Sequence, residues 1–218
     1  SVRRLTPPEF AETDEGIGWA GDGSLRTASF AGVRSFLNRI DPETGERIRI
    51  IERWATPHAA GRSFSTAPDG ALAWLGEGPD TPGDLYFLAP GRSEPLRITL
   101  MNPALKSLGL PEPETVSWPS FDGRRIEGLL FLPPGEDARH LPLIVQPHGG
   151  PGTLWSLGFY GYVEFPGVFL ASRGYAVLFP NPRGSAGYGE TFFGLNRGDP
   201  GGGDLKDIES GIDSLTAS

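Results

Sequence analysis

The sequence has 218 residues, which at ~150 residues per domain is about one and a half domains. Apolar residues make up 38% and charged residues 21%, enough to build a core and too little charge for wholesale disorder, while 32 Gly and 22 Pro exclude an all-helical bundle. The 19 Lys and Arg against 27 Asp and Glu give a formal charge of −8 with no basic cluster, so no nucleic-acid partner is expected; with no Cys and 3 His, disulfides, Cys nucleophiles and metal sites are not expected either.

From Gly16 to about Pro103, short alternating apolar segments are separated by residues that reverse a strand: Asp22-Gly23, Asp41 to Gly45, and Pro68-Asp69-Gly70. The clearest unit has four predicted strands, Ser63–Thr66, Ala71–Leu75, Asp84–Leu88 and Pro95–Leu100, the size of one propeller blade. Gly32–Ile40 and Glu46–Ile51 are the strongest strands of a second. A generic β-sandwich is the alternative for this region.

Pro111 and Pro113 stiffen a connection between differently patterned regions, and a domain boundary is placed there, giving units 1–110 and 111–218. Thr115–Ser120 and Arg125–Leu132 flank Asp122-Gly123 as a hairpin. Leu141–Val145 reads as a short strand, Val163–Ser172 as a helix stopped by Gly174, and Tyr175–Phe179 as a buried strand of parallel type. In Asp204–Ser218 the residues Leu205, Ile208, Ile212 and Leu215 predict one apolar helix face. A hairpin followed by strand, helix and strand is an α/β pattern, and its sheet is expected to continue past the last residue. No run of 18 apolar residues occurs, so no membrane span is expected, and a cytoplasmic location is the expectation.

A serine hydrolase of α/β type carries its nucleophile on a sharp turn, usually Gly-x-Ser-x-Gly, and no such pentapeptide occurs. Ser156 lacks the first Gly and a preceding strand, and Ser185 has Arg183 where Gly belongs. The strand ending at Val145 does run into His148-Gly149-Gly150-Pro151, where glycines let a main-chain N–H face a carbonyl oxygen that becomes negative during acyl transfer; an ordinary Gly-Pro loop is the alternative. His148 reads as a loop anchor, not a catalytic base. The loop Asn181 to Glu190, with Arg183 and Tyr188, follows a parallel-type strand and is expected to line the same cleft. Its glycines do not form a nucleotide-binding pattern. Asp204 and Asp207 read as complements to a helix N-terminus.

Together, His148-Gly149-Gly150-Pro151, Gly174 to Val177, Asn181 to Glu190, Gly198-Asp199-Pro200 and Gly202-Gly203-Asp204 with Asp207 resemble the prolyl oligopeptidase family, most closely its acylaminoacyl-peptidase and dipeptidyl-aminopeptidase-like branch. The resemblance implies partial β-propeller blades followed by the first half of an α/β-hydrolase domain. It implies a serine peptidase acting on short peptides, without a cofactor, with Gly150 as a main-chain oxyanion donor and Gly149 shaping the loop. Tyr188 falls where some members use a tyrosine hydroxyl as a donor, and Arg183 would be structural or substrate-orienting. None of the catalytic Ser, Asp and His is assigned, since all three lie further along in the family; the chain is thus expected to be an inactive internal or truncated segment, whose partners are the rest of its catalytic domain and, in a homo-oligomer, further copies. An esterase of the same fold and a non-enzymatic β-scaffold are the competing expectations.

Overall fold

In the computed structural model, residues 3–6, 12–52, 64–135, 139–150 and 152–217 are described. Ser63, Pro151 and Ser218, each part of a predicted feature, lie outside the described residues. Four strands, β1 (Thr13–Trp19), β2 (Leu25–Ala31), β3 (Arg34–Ile40) and β4 (Arg47–Ile51), form an antiparallel sheet in chain order. The turn chemistry explains the reversals. Gly23 and Gly45 take positive φ of 77° and 79°, which a side chain disfavours, and the Asp22 and Asp41 carboxylates accept main-chain N–H groups inside their turns.

A second antiparallel sheet follows, with β5 (Phe64–Thr66), β6 (Leu72–Gly78), β7 (Thr81–Leu88) and β8 (Leu96–Arg97), again in chain order. Ala28, Leu37 and Ile51 of the first sheet pack with Leu72, Trp74, Tyr86 and Leu88 of the second, and the Trp74 and Tyr86 rings stack at 5.7 Å. Each such large side chain taken from water contributes ~1.5–3 kcal/mol, so this seam holds the two sheets together. Neither sheet closes on itself. The last strand is two residues long, against the six predicted for Pro95–Leu100. The cause is Asp84, which is 1% exposed and accepts hydrogen bonds from Thr99 Oγ1 at 2.6 Å and Met101 N–H at 3.0 Å and binds Arg97, drawing the chain off the ladder. Burial opposes the Asp84 charge, but these donors hold its carboxyl below the usual carboxylate range.

The third sheet has the order β11-β12-β10-β9, built from β9 (Glu114–Pro119), β10 (Arg125–Phe131), β11 (Leu143–Val145) and β12 (Ala176–Asn181). It is mixed: β12 runs parallel to β11 and antiparallel to β10. All six residues of β12 are buried, as expected for a strand covered on both faces. One face carries Leu129, Phe131, Val177 and Phe179 beneath Trp155, Tyr160 and the short helix α1 (Gly167–Ala171). The opposite face carries Trp118, Ile126 and Leu178 against Phe192 of α2 (Glu190–Phe193) and Leu215 of α3 (Gly203–Thr216).

Two helix expectations need correction. Helix α1 is half the predicted length, because Pro166 disfavours helical backbone at Phe165, and Val163 is left 97% exposed. In α3 the fully buried face is Gly203, Asp207 and Gly211, spaced by four, while Leu205 is 48% exposed. A Cβ on Gly211 would stand 2.7 Å from the Trp118 ring, so the helix lies against the sheet through its glycines. No helix among the described residues is long and apolar enough to cross a membrane.

Candidate active site

The two glycine loops predicted to share a cleft leave the C-terminal ends of the parallel pair β11 and β12, where ligands of open α/β sheets bind. After β11, His148, Gly149 and Gly150 turn sharply; Gly150 has φ 122°, and a Cβ there would meet Thr153 Cγ2 at 2.9 Å. Only glycine takes this backbone without strain. Both glycines are exposed, and the Gly150 N–H has no acceptor among the described residues.

His148 anchors this loop to the next one. Its Nε2 lies 2.8 Å from Ser185 Oγ, which donates its own proton to the Pro182 carbonyl at 2.6 Å. Ser185 therefore accepts from the ring, placing the proton on Nε2. The other nitrogen, Nδ1, is 3.1 Å from the Gly149 carbonyl. Burial pushes the imidazole below its ordinary pKa, and the Gly149 carbonyl opposes that shift. The ring is accordingly neutral at pH 7. Ser185 and Ser156 are 0% and 1% exposed, so neither hydroxyl can be reached by a substrate.

Arg183 is held at its main-chain N–H, Nε and Nη2. Its main-chain N–H donates to Asp207 Oδ2 at 2.7 Å, Nε donates to the same oxygen at 2.9 Å, and Nη2 donates to Asp207 Oδ1 at 2.7 Å and to Asp122 Oδ1 at 3.1 Å. Ser120 Oγ donates to the Asp207 carboxylate, and Trp118 Nε1 donates to its carbonyl at 2.8 Å. The Phe121 ring lies 4.6 Å below the guanidinium. Hydrogen bonding to Asp207 holds the Arg183 pKa above its ordinary value, and the Arg183 bond holds Asp122 below the usual carboxylate range. Asp207, expected from the sequence to complement a helix N-terminus, is instead the buried partner of Arg183. Its signal was the four-residue spacing to Gly203 and Gly211, which allows a buried side chain between two close approaches.

Tyr188 is also engaged. Its hydroxyl accepts from Asn181 Nδ2 at 3.1 Å and donates to Glu127 Oε2 at 3.3 Å, and burial together with Glu127 raises its pKa. Asn181 in turn accepts from Trp155 N–H at 2.7 Å and donates to the Trp155 carbonyl at 2.8 Å. Thus the structure brings Gly149, Gly150, Arg183 and Tyr188 onto adjoining loops, with the glycines open and the other two side chains tied to protein partners. No cluster of three or more His, Asp and Glu able to hold a metal occurs among the described residues.

Residues 163–218 match the profile described as the prolyl oligopeptidase family. The uncharacterized peptidase YuxL of Bacillus subtilis is 35% identical over 154 residues, covering 69% of this chain and 23% of that protein. The human acylamino-acid-releasing enzyme is 35% identical over 111 residues, covering 48% of this chain and 14% of the enzyme. Among solved structures, the acylaminoacyl peptidase of Pyrococcus horikoshii superposes with a TM-score of 0.71 at 28% identity, covering 89% of this chain and 29% of that one. The chain spans 14% to 27% of the length of the first curated relatives it matches. On these matches the chain belongs to the prolyl oligopeptidase family.

Proposed function

We propose that this chain is part of a serine peptidase that hydrolyses short peptides by acyl transfer, and that its share of the chemistry is a main-chain oxyanion donor at Gly150. The observation that carries this is the exposed Gly150 N–H, free of any acceptor among the described residues, at the carboxyl end of a parallel strand pair. As a serine oxygen bonds to the scissile carbonyl carbon, the π electrons move to the carbonyl oxygen. A fixed N–H within ~3 Å of that oxygen stabilises the negative charge and needs no reorganisation to do so. Gly149 shapes the turn, and Arg183 acts by holding the second loop, its Nε and Nη2 donors being bonded to Asp207 and Asp122.

On the same reading, the two antiparallel sheets are the last blades of a β-propeller, the division at residues 110 and 111 separates them from the catalytic domain, and the propeller restricts the cleft to short peptides. The names of the relatives favour peptides bearing a blocked or a free N-terminus, as in the acylamino-acid-releasing and dipeptidyl-peptidase enzymes.

The test uses the protein as its gene encodes it, with acetyl-alanine and free dipeptide p-nitroanilides, short-chain esters and a fluorophosphonate probe. Release of p-nitroaniline with labelling of one serine outside the 218 residues is the expected result. Efficient ester cleavage with no amide cleavage would assign the site to an esterase, and the absence of both activities would leave a binding scaffold. Gly150→Ala strains the loop and displaces the N–H, and it is expected to lower kcat by about a hundredfold with little change in KM.

A further inference from the structure

The two-residue turn between β2 and β3 belongs to the first sheet by chain order and to the third by contact. Gly32 N–H donates to the Gly187 carbonyl at 2.7 Å, and the Val33 carbonyl accepts from Leu157 N–H at 2.7 Å. Val33 is 4% exposed and sits with Leu129, Phe131, Trp155, Val177 and Phe179 in the core of the third sheet. Phe30, at the end of the same hairpin, is 1% exposed against Leu154 and Ala186. There is no slack in the fit. A Cβ on Gly32 would stand 2.9 Å from Glu127 Oε2, and one on Gly187 would stand 3.2 Å from the Gly32 carbonyl oxygen.

The segments that receive this turn, residues 153–157 and 185–188, directly follow the Gly150 loop and Arg183. They are stitched to each other by the Ala186 N–H, which donates to the Thr153 carbonyl at 3.0 Å. Thr153 is also the residue against which the Gly150 backbone is packed. Loops this rich in glycine do not hold a geometry by themselves, because glycine loses the most conformational freedom on ordering. The His148–Ser185 and Ala186–Thr153 bonds tie the loops to each other and Asp207 ties the second to α3, while the Gly32–Val33 turn supports both from the first sheet.

We propose that the Gly32–Val33 turn is a positioning element for the oxyanion cradle, with Val33 wedged beside Trp155 and the two main-chain hydrogen bonds setting the distance between the loops. The first sheet then determines where the Gly150 N–H points. This rests on the assignment of Gly150 as an oxyanion donor. Val33 is a positioning residue: it acts through residues 153–157 and 185–188.

The experiment compares Val33→Ala, Val33→Thr and Val33→Ile in the protein as its gene encodes it, by amide hydrogen exchange and by kcat and KM on an acyl-peptide anilide. In Val33→Ala, amides in 153–157 and 183–189 are expected to exchange about tenfold faster while β6 and β10 keep their protection, and kcat is expected to fall about tenfold with KM within about twofold. Val33→Thr, which keeps the shape but buries a hydroxyl among apolar side chains, follows the same pattern and serves if Val33→Ala does not fold; Val33→Ile, one methylene too large for the site, is expected to loosen the same two segments. Unchanged exchange in the two segments, a uniform loss extending through β10, or loosened loops with kcat intact would each overturn the proposal. A parent protein without peptidase activity would instead sink the assignment of Gly150, and the exchange data would still decide on their own whether the turn fixes the loops.

Discussion

One carboxylate, that of Asp207, binds both the main chain and the side chain of Arg183, accepting from the Arg183 N–H at 2.7 Å and from its Nε and Nη2 at 2.9 and 2.7 Å. Asp207 is 0% exposed and lies on α3, 24 residues further along the chain, so the clamp fixes the Asn181 to Glu190 loop against the helix rather than against its own strand.

Removing Asp207 strands a buried guanidinium. Asp207→Ala is expected to cost about 3–5 kcal/mol, as for other buried pairs broken from one side. That is a large share of the ~5–15 kcal/mol that holds a domain folded. Urea unfolding of parent and variant measures it; a loss under 1 kcal/mol would mean that water or Asp122 replaces the missing partner.

The His148 ring gives a pH dependence of definite sign. Its pKa in the folded protein lies below the ordinary ~6.5, so the unfolded chain binds the extra proton more readily. The contribution is complete above pH ~6.5 and is lost as the pH falls below that value toward the folded pKa. Melting temperatures between pH 5 and 8 should decline more steeply on the acid side for the parent than for His148→Gln, which keeps a donor for Ser185 without titrating. Equal slopes would assign the acid sensitivity elsewhere.

Gly211 separates two opposing effects by size. Alanine is about 1 kcal/mol better than glycine inside a helix. At this position its Cβ would stand 2.7 Å from the Trp118 ring, and overpacking a tight contact costs about 1–3 kcal/mol. Gly211→Ala is expected to lower the melting temperature despite its helix propensity, together with a change in Trp118 fluorescence. An increase would show that α3 can shift away from the sheet at no cost.

For Tyr188, stability and catalysis are expected to part. Tyr188→Phe removes hydrogen bonds to Asn181 and Glu127 at a cost of about 1 kcal/mol. It should leave kcat within about threefold of the parent, since loss of an oxyanion donor costs about a hundredfold or more. A hundredfold drop in kcat would return the hydroxyl to the reaction centre.

The strands were the most legible part of the sequence, because Asp22-Gly23, Asp41 to Gly45, Pro68-Asp69-Gly70 and Asp122-Gly123 specify reversals locally. The strand at Tyr175–Phe179 announced itself as an unbroken apolar run, and the His148 anchor followed from its place in the chain. On α3 the stripe Ile208, Ile212 and Leu215 lies on the covered side as the periodicity implies, but Leu205 does not, and the closest approach is set by Gly203 and Gly211, which periodicity does not weigh. Asp207, read with Asp204 as a complement to the helix N-terminus, gives no local sign of its tertiary role, because its partner lies on another loop. Gly32 and Val33 read as the start of the strand Gly32–Ile40, whereas they form the tip between β2 and β3; a hairpin tip is ordinarily solvated, and only tertiary contact buries this one.

The way Asp84 ends the second sheet bears on how this molecule avoids its own kind. Leu96, Ile98, Leu100 and Met101 are all at least 49% exposed beside the outermost strand, which is the composition of an edge inviting a neighbouring chain to pair. Three of the donors there are taken: the Ile98 and Thr99 N–H groups by the Leu85 carbonyl and the Met101 N–H by the Asp84 carboxylate. The buried acid takes one main-chain donor from that border and, by drawing Arg97, Thr99 and Met101 inward, shortens the ladder open to intermolecular β-pairing.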